Sequence, residues 1–279
     1  MAFKASKKRE RKAPEPVGKG TALIPSAAIE SWYRKRLEAM STAMVKDYKE
    51  QINNTLDHAA VQEFFATDAA ATSAFKKVME KLDQKWSDVF RGFAKSTSKE
   101  FVDKSDEHAT ATTRWSLSTA GIEQPRAAYN ENIANTLTAS QDFNNTLIAG
   151  IQEDVHEKIY TAVMLSLTSP DPEKQGQSGI EAALREIGGF AKNRAKLIAQ
   201  DQTSKLYSSL SDQRMEENGV DEFEWMHSSA GKVPRHTHVE KDGMIFKLND
   251  PRLWEGPKAD QGPPGWAIRC RCRKIPVIR

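Results

Sequence analysis

Apolar residues along the first three-quarters of this chain recur mostly at steps of three and four, the spacing that lines one face of an α-helix. After Ser26, the residues Trp32, Leu37, Met40, Met44, Tyr48, Ile52 and Leu56 keep that spacing and predict a long amphipathic helix. The Ala/Thr-rich stretch 59–74 has few large apolar side chains besides Phe64 and Phe65, and reads as either a second helix or a poorly packed connector. Phe75, Met79, Leu82, Trp86, Phe90 and Phe93 resume the helical period, with Gly92 near the expected end. The pattern weakens from Thr110 to Gln124, and Gly121 and Pro125 punctuate it, which predicts a boundary or hinge. Leu147, Ile151, Val155, Ile159 and Ala162 begin another helical face. A loop is expected at Ser169-Pro170-Asp171-Pro172, with Gly176 and Gly179 behind it. Ile180, Leu184, Ile187 and Ala191 open a last helix, which Gly188-Gly189 should kink or end. Leu197, Ile198, Leu206 and Leu210 carry the pattern to about Glu217. Asn218-Gly219 then supplies the left-handed conformation common at helix C-termini.

Beyond Gly219 the period changes to two. Glu222-Phe223-Glu224-Trp225 alternates polar and aromatic, Met244-Ile245-Phe246 follows the turn-like Asp242-Gly243, and Ile268, Cys270 and Cys272 alternate with Arg269, Arg271 and Arg273. Gly/Pro-rich loops at 256–257 and 262–265 separate these segments. The expected fold is mainly α with a small C-terminal α+β module, combining long helices, short antiparallel strands and Gly/Pro-rich loops. Its divisions are a disordered basic arm (1–24), an N-terminal helical region (25–120), a second helical region (121–217) and a β-containing module (218–279).

Composition narrows the class. At 279 residues the chain is long enough for one large domain or two ordinary ones. Hydrophobic residues are 38%, charged residues 28% and the mean hydropathy is −0.64, polar but short of wholesale disorder. No stretch approaches the roughly 20 apolar residues that span a bilayer, and no apolar run follows the basic beginning, so neither a membrane span nor a secretory signal is expected. The net charge of +3 hides an asymmetry. Residues 1–20 carry +5 and residues 269–279 carry +5, so the segment between carries −7. Basic ends on an acidic body point to nucleic acid or acidic surfaces at the ends, or simply to a solvated tail.

From Arg194 the chain reads Arg-Ala-Lys-Leu-Ile-Ala-Gln-Asp-Gln-Thr, then Trp225, then Arg235-His236-Thr237-His238 with Asp242-Gly243, then Pro264-Gly265 and Cys270-Arg271-Cys272. This ordered set resembles the C-terminal module of the phage Mu F-like head morphogenesis family. That family has an Arg three residues before a His, an Asp/Asn-Gly, a Pro-Gly and a closing Cys-Arg-Cys. The specific match spans about 194–277 and extends back to Phe143 through generic helical features. Arg269 stands where the family often has Asn. The resemblance implies a minor capsid protein of a tailed phage, attached to the portal, with DNA contact in some members. The implied partners are portal, capsid or scaffolding proteins and double-stranded DNA, not membrane. The implied location is the virion, inside the capsid near the portal, after assembly in the host cytoplasm.

Two chemical readings of the module compete with simple packing. Cys270 and Cys272 on one strand face would lie about 6.6 Å apart at Cα with parallel side chains, at the edge of disulfide reach. They could instead join His238 and His236 around zinc, although the usual two-residue gap between cysteines is absent. The default is buried, inert cysteines and no cofactor. His238, Arg235 and Asp242 could also serve an enzyme of metal-dependent or nuclease type, but no activated nucleophile is evident, and no residue is assigned as catalytic. A third alternative is a DNA-binding module without a head role. For phosphate or partner contact the candidates are Arg269, Arg271 and Arg273 on one strand, with Lys7, Lys8, Arg9, Arg11 and Lys12 in the arm.

Overall fold

The computed structural model describes residues 18–57, 68–171, 174, 176–229 and 233–279. Its body consists of four long helices, α1 (Ala27–Asp57), α2 (Asp68–Thr119), α3 (Glu131–Thr168) and α4 (Gly176–Glu217). The module adds a short helix, α5 (His236–Glu240), and strands β2 (Glu222–Met226), β3 (Ile245–Lys247) and β4 (Arg273–Ile278). A two-residue strand, β1 (Gly18–Lys19), completes an antiparallel sheet in the order β1-β4-β2-β3. The mainly α class with a small C-terminal sheet is as the periodicity indicates.

The apolar stripes explain how the helices associate. On α1, Tyr33, Leu37, Met44, Tyr48, Ile52 and Leu56 are buried; on α2, Phe75, Met79, Leu82, Trp86, Phe90 and Phe101 are. α4 packs against α1, α2 and α3, and α2 packs against α3. One contiguous core runs from these stripes into the module through Met215, Val220, Phe223, Trp225 and Phe246. Two caps fix helix starts, Ser26 Oγ accepting from the Ile29 N–H at 3.2 Å and Asn130 Oδ1 accepting from the Ile133 N–H at 3.0 Å.

Several expected breaks are continuous helix. Gly92 lies within α2, and an added Cβ there would meet nothing within 4 Å, so the residue carries only its intrinsic helix penalty. Gly188 and Gly189 lie within α4, where Gly188 comes close to Val45 of α1. The boundary expected between Thr110 and Pro125 holds at Gly121 and Pro125, in the connection to α3, while α2 continues through the weak pattern to Thr119. Its buried face there is made of Ala109, Thr113 and Ser116 because another backbone lies against it. Ser116 Oγ donates to the Thr21 carbonyl at 2.7 Å, and a Cβ on Gly20 would sit 2.3 Å from that same oxygen.

The segment on that face is the end of the stretch read as an arm. Residues 1–17 and 58–67 lie outside the described residues, and of the stretch 59–74, read as a second helix or a connector, residues 68–74 belong to α2. Residues 18–24, however, are packed: Gly18 and Lys19 pair with Ile278 and Val277, Leu23 bridges to Lys274, and Leu23 is buried. An apolar anchor and a sheet edge hold a stretch whose composition alone suggested freedom.

Candidate functional site at the C-terminal motif

The motif residues converge where the loops of the module meet α4. Arg235 opens α5, and its guanidinium pairs with Asp260 at 2.8 Å while donating to the Ile268 carbonyl at 2.8 Å. Thr237 Oγ1 donates to the other Asp260 carboxylate oxygen at 2.8 Å. His238 Nε2 lies 2.9 Å from the Asp260 backbone oxygen. A carbonyl only accepts, so Nε2 carries the proton and Nδ1 presents a lone pair. That nitrogen lies 3.5 Å from Cys270 Sγ and 3.6 Å from Cys272 Sγ. All three residues are buried, and both cysteines are free thiols.

The two sulfurs differ in their surroundings. Hydrogen bonding from Cys272 does most to push the Cys270 thiol down to about 4, helped by His238 and by the backbone N–H groups of Cys272 and Gly265 and opposed by burial. The Cys272 thiol is pushed up by that same contact with Cys270 and by burial, with the Ser228 N–H and the Trp225 indole acting the other way. For His238 burial works against the imidazolium, but hydrogen bonding to Cys270 and to the Asp260 carbonyl outweighs it and raises the pKa.

The remaining motif residues build the frame. Gly243 adopts φ +74 and its N–H donates to the Trp225 carbonyl at 2.8 Å, closing the turn into β3. The Asp242 carboxylate accepts from the His227 N–H at 2.7 Å. The Pro264 carbonyl accepts from Ser208 Oγ at 2.8 Å, and Gly265, at φ +87, lies so close to α4 that a Cβ would be 3.1 Å from the Ser204 carbonyl. The Trp225 ring is fully buried and edge-on to His238 at 5.1 Å.

Two expectations need correction, and one alternative loses its geometry. His236 is not beside the cysteines; its side chain is 88% exposed and pairs with Glu240. Asp242 takes the structural role its motif implied, accepting from the His227 amide while His238 meets the Asp260 carbonyl, so the alternative acid/base pairing of the two does not form. Cys270 and Cys272 are not on a strand, because β4 starts at Arg273, and Arg269 takes φ +59. The arginines therefore form no continuous strip. Arg271 makes a bidentate pair with Glu30 of α1 at 2.7 and 2.9 Å, and Arg273 is half-buried and donates to the Cys272 carbonyl. Arg269 is exposed and lines a cleft of about 500 Å³ that opens onto the His238 and cysteine cluster. The arm residues Lys7, Lys8, Arg9, Arg11 and Lys12 lie outside the described residues.

Asp260 and Ser208 were missed. Asp260 sits in a Pro/Gly loop with no period, and Ser208 is a small polar residue on an otherwise ordinary helix, so neither leaves a signal in the sequence.

The order Arg235, His238, Asp242-Gly243, Pro264-Gly265, Cys270-Arg271-Cys272 is thus one connected structure around a single loop cluster. Residues 153–275 match the family described as Phage Mu protein F like protein. The Mu F-like region starts inside α3, between Phe143 and Arg194, and takes in α4 and nearly all of the module. This is a structural family of phage head morphogenesis. A Haemophilus influenzae (strain ATCC 51907 / DSM 11121 / KW20 / Rd) protein bearing the name "Uncharacterized protein" is 30% identical over 256 residues, covering 91% of this chain and 54% of that protein. The chain spans about half the length of that relative. No solved structure matches it. No described helix is long and apolar enough to cross a membrane.

Proposed function

We propose that this chain is a minor capsid protein of a tailed-phage head, docking on the portal or the inner capsid through surface complementarity and not through catalysis. The Mu F-like match over residues 153–275 carries this reading, because it covers the module together with the helix on which the module is seated. The internal bonding of the motif supports it. Arg271, Asp242, Pro264 and Gly265 are engaged in holding the module to itself and to α1 and α4, as expected of an assembly part that must present a fixed surface. DNA contact in the head falls to the exposed Arg269 and, from the charge of the sequence alone, to the basic residues of the first segment, with Arg271 and Arg273 already occupied.

The test is co-expression of the full chain with tailed-phage portal and major capsid proteins. Copurification with the portal oligomer and incorporation into heads are expected. Heads and portals that both exclude the chain would remove this reading.

A further inference from the structure

We infer that His238, Cys270 and Cys272 bind one zinc ion, which clamps α5 to the segment entering β4 and leaves its fourth coordination position facing the cleft beside Arg269. The argument is geometric and does not depend on the head role. Tetrahedral zinc with Zn–S near 2.3 Å and Zn–N near 2.0–2.1 Å requires sulfur-to-nitrogen separations of about 3.6 Å. The separations here are 3.5 and 3.6 Å, and the three ligand atoms all lie within 4.8 Å of one another.

The surroundings match those of a metal thiolate centre. Ligating histidines usually donate their other ring N–H to a carbonyl or carboxylate, which fixes the tautomer and aims the lone pair. Here Nε2 does so to the Asp260 carbonyl, and the Asp260 side chain is itself held by Arg235 and Thr237. Backbone N–H groups of Gly265 and Cys272 favour a charged Cys270 sulfur, and the Ser228 N–H favours a charged Cys272 sulfur. The Trp225 indole N–H is buried without a hydrogen-bond partner among the described residues, and it too favours a charged Cys272 sulfur. Two thiolates and a neutral imidazole suit zinc and not a hard oxygen-seeking cation. Among the described residues no further His, Cys, Asp or Glu joins the cluster, so the fourth ligand comes from the cleft as water or a partner's donor atom. The residues between β2 and β4 form little regular structure, and a metal cross-link across such a segment adds to its folding free energy.

The experiment uses the full chain purified reduced and without chelator. Elemental analysis should find about one zinc per chain, and X-ray absorption should find sulfur and nitrogen/oxygen scatterers in equal numbers. Cys270→Ser, Cys272→Ser and His238→Asn should lose the ion, while His236→Ala should keep it. If the first three variants fail to fold, cobalt substitution into wild-type protein decides the matter: thiolate-to-cobalt absorption is expected. Wild-type protein that holds no zinc and shows no such absorption would overturn the inference. So would zinc retained in Cys272→Ser, or a mass lower by two hydrogens showing a Cys270–Cys272 disulfide in metal-free protein.

Discussion

Lys274, at the centre of the sheet, donates its ammonium to the carboxylate of Asp212 on α4. The same nitrogen donates to Ser208 Oγ at 2.8 Å, and that hydroxyl donates on to the Pro264 carbonyl. A lysine in β4 thus joins the sheet, the helical body and the Pro-Gly loop. Burial pushes the Lys274 pKa down and that of Asp212 up, each opposed by the attraction of the partner.

Removing one member of such a pair leaves the other without compensation. Lys274→Met should destabilise the chain by about 3 kcal/mol, the lower end for a buried pair, since the Asp212 side chain keeps 23% of its surface exposed. Lys274→Met with Asp212→Leu should recover most of that loss, because apolar replacement of both partners is often neutral. Urea denaturation of the three proteins measures both. A double variant no more stable than the single one would mean that Ser208 and Pro264 are the partners that matter.

The long helices were legible because burial on them is periodic: the predicted stripe from Leu37 to Leu56 is the buried one. The breaks expected at Gly92 and Gly188 are continuous helix, and the weak pattern after Thr110 belongs to α2 as far as Thr119, where Ser116 meets the backbone of Gly20 and Thr21; the boundary itself falls at Gly121 and Pro125. At the site, the motif order located His238, Cys270 and Cys272 together. The assignment of His236 to the cluster failed because nearness in sequence says nothing about which side of a one-turn helix a side chain occupies, whereas Asp242 has the structural place its motif implied. Asp260 and Glu30 act over long sequence separations, which only the fold creates.

Gly265 tests the seating of the module on α4. At φ +87 an L-residue is strained by about 1–2 kcal/mol, and the Cβ would press on the Ser204 carbonyl at 3.1 Å. Gly265→Ala should therefore lower stability, whereas Gly189→Ala, inside α4 with nothing within 4 Å of the new Cβ, should raise it by about 0.5–1 kcal/mol. Thermal unfolding of both variants checks the contrast in sign.

His156 gives the helical body a pH dependence. The Tyr48 hydroxyl lies 2.8 Å from Nδ1, and burial raises the Tyr48 pKa, so the phenol stays protonated and donates to the ring. Burial lowers the His156 pKa, with Asp83 opposing. The folded state thus binds the imidazolium proton less readily than the unfolded chain. The resulting stabilisation is complete above the ordinary histidine pKa of about 6.5 and is lost as pH falls below it toward the depressed folded value. His156→Gln should reduce the difference in urea midpoint between pH 7.5 and pH 5. An unchanged difference would assign that pH dependence to the carboxylates.

Salt dependence separates the cations free to meet DNA from those already engaged. Each phosphate neutralised on duplex DNA contributes about −0.9 to the slope of log affinity against log salt. Arg271 and Arg273 are bound to Glu30 and to the Cys272 carbonyl, so replacing either with Gln should leave the slope unchanged, although Arg271→Gln should weaken the tie to α1. Arg269 is exposed, and Arg269→Gln should flatten the slope by at most about one unit. Deleting residues 2–17 removes Lys4, Lys7, Lys8, Arg9, Arg11 and Lys12 and should flatten it by several units. The deletion stops short of Gly18, because Gly18, Lys19 and Leu23 belong to the sheet edge and the core. Binding by a single copy should be weak at physiological salt, and many copies held together on a portal would bind more tightly through raised effective concentration. Duplex-DNA affinity measured across a salt series gives all four slopes. A slope unmoved by both the deletion and Arg269→Gln would assign the basic residues to protein partners, leaving the genome untouched by this chain.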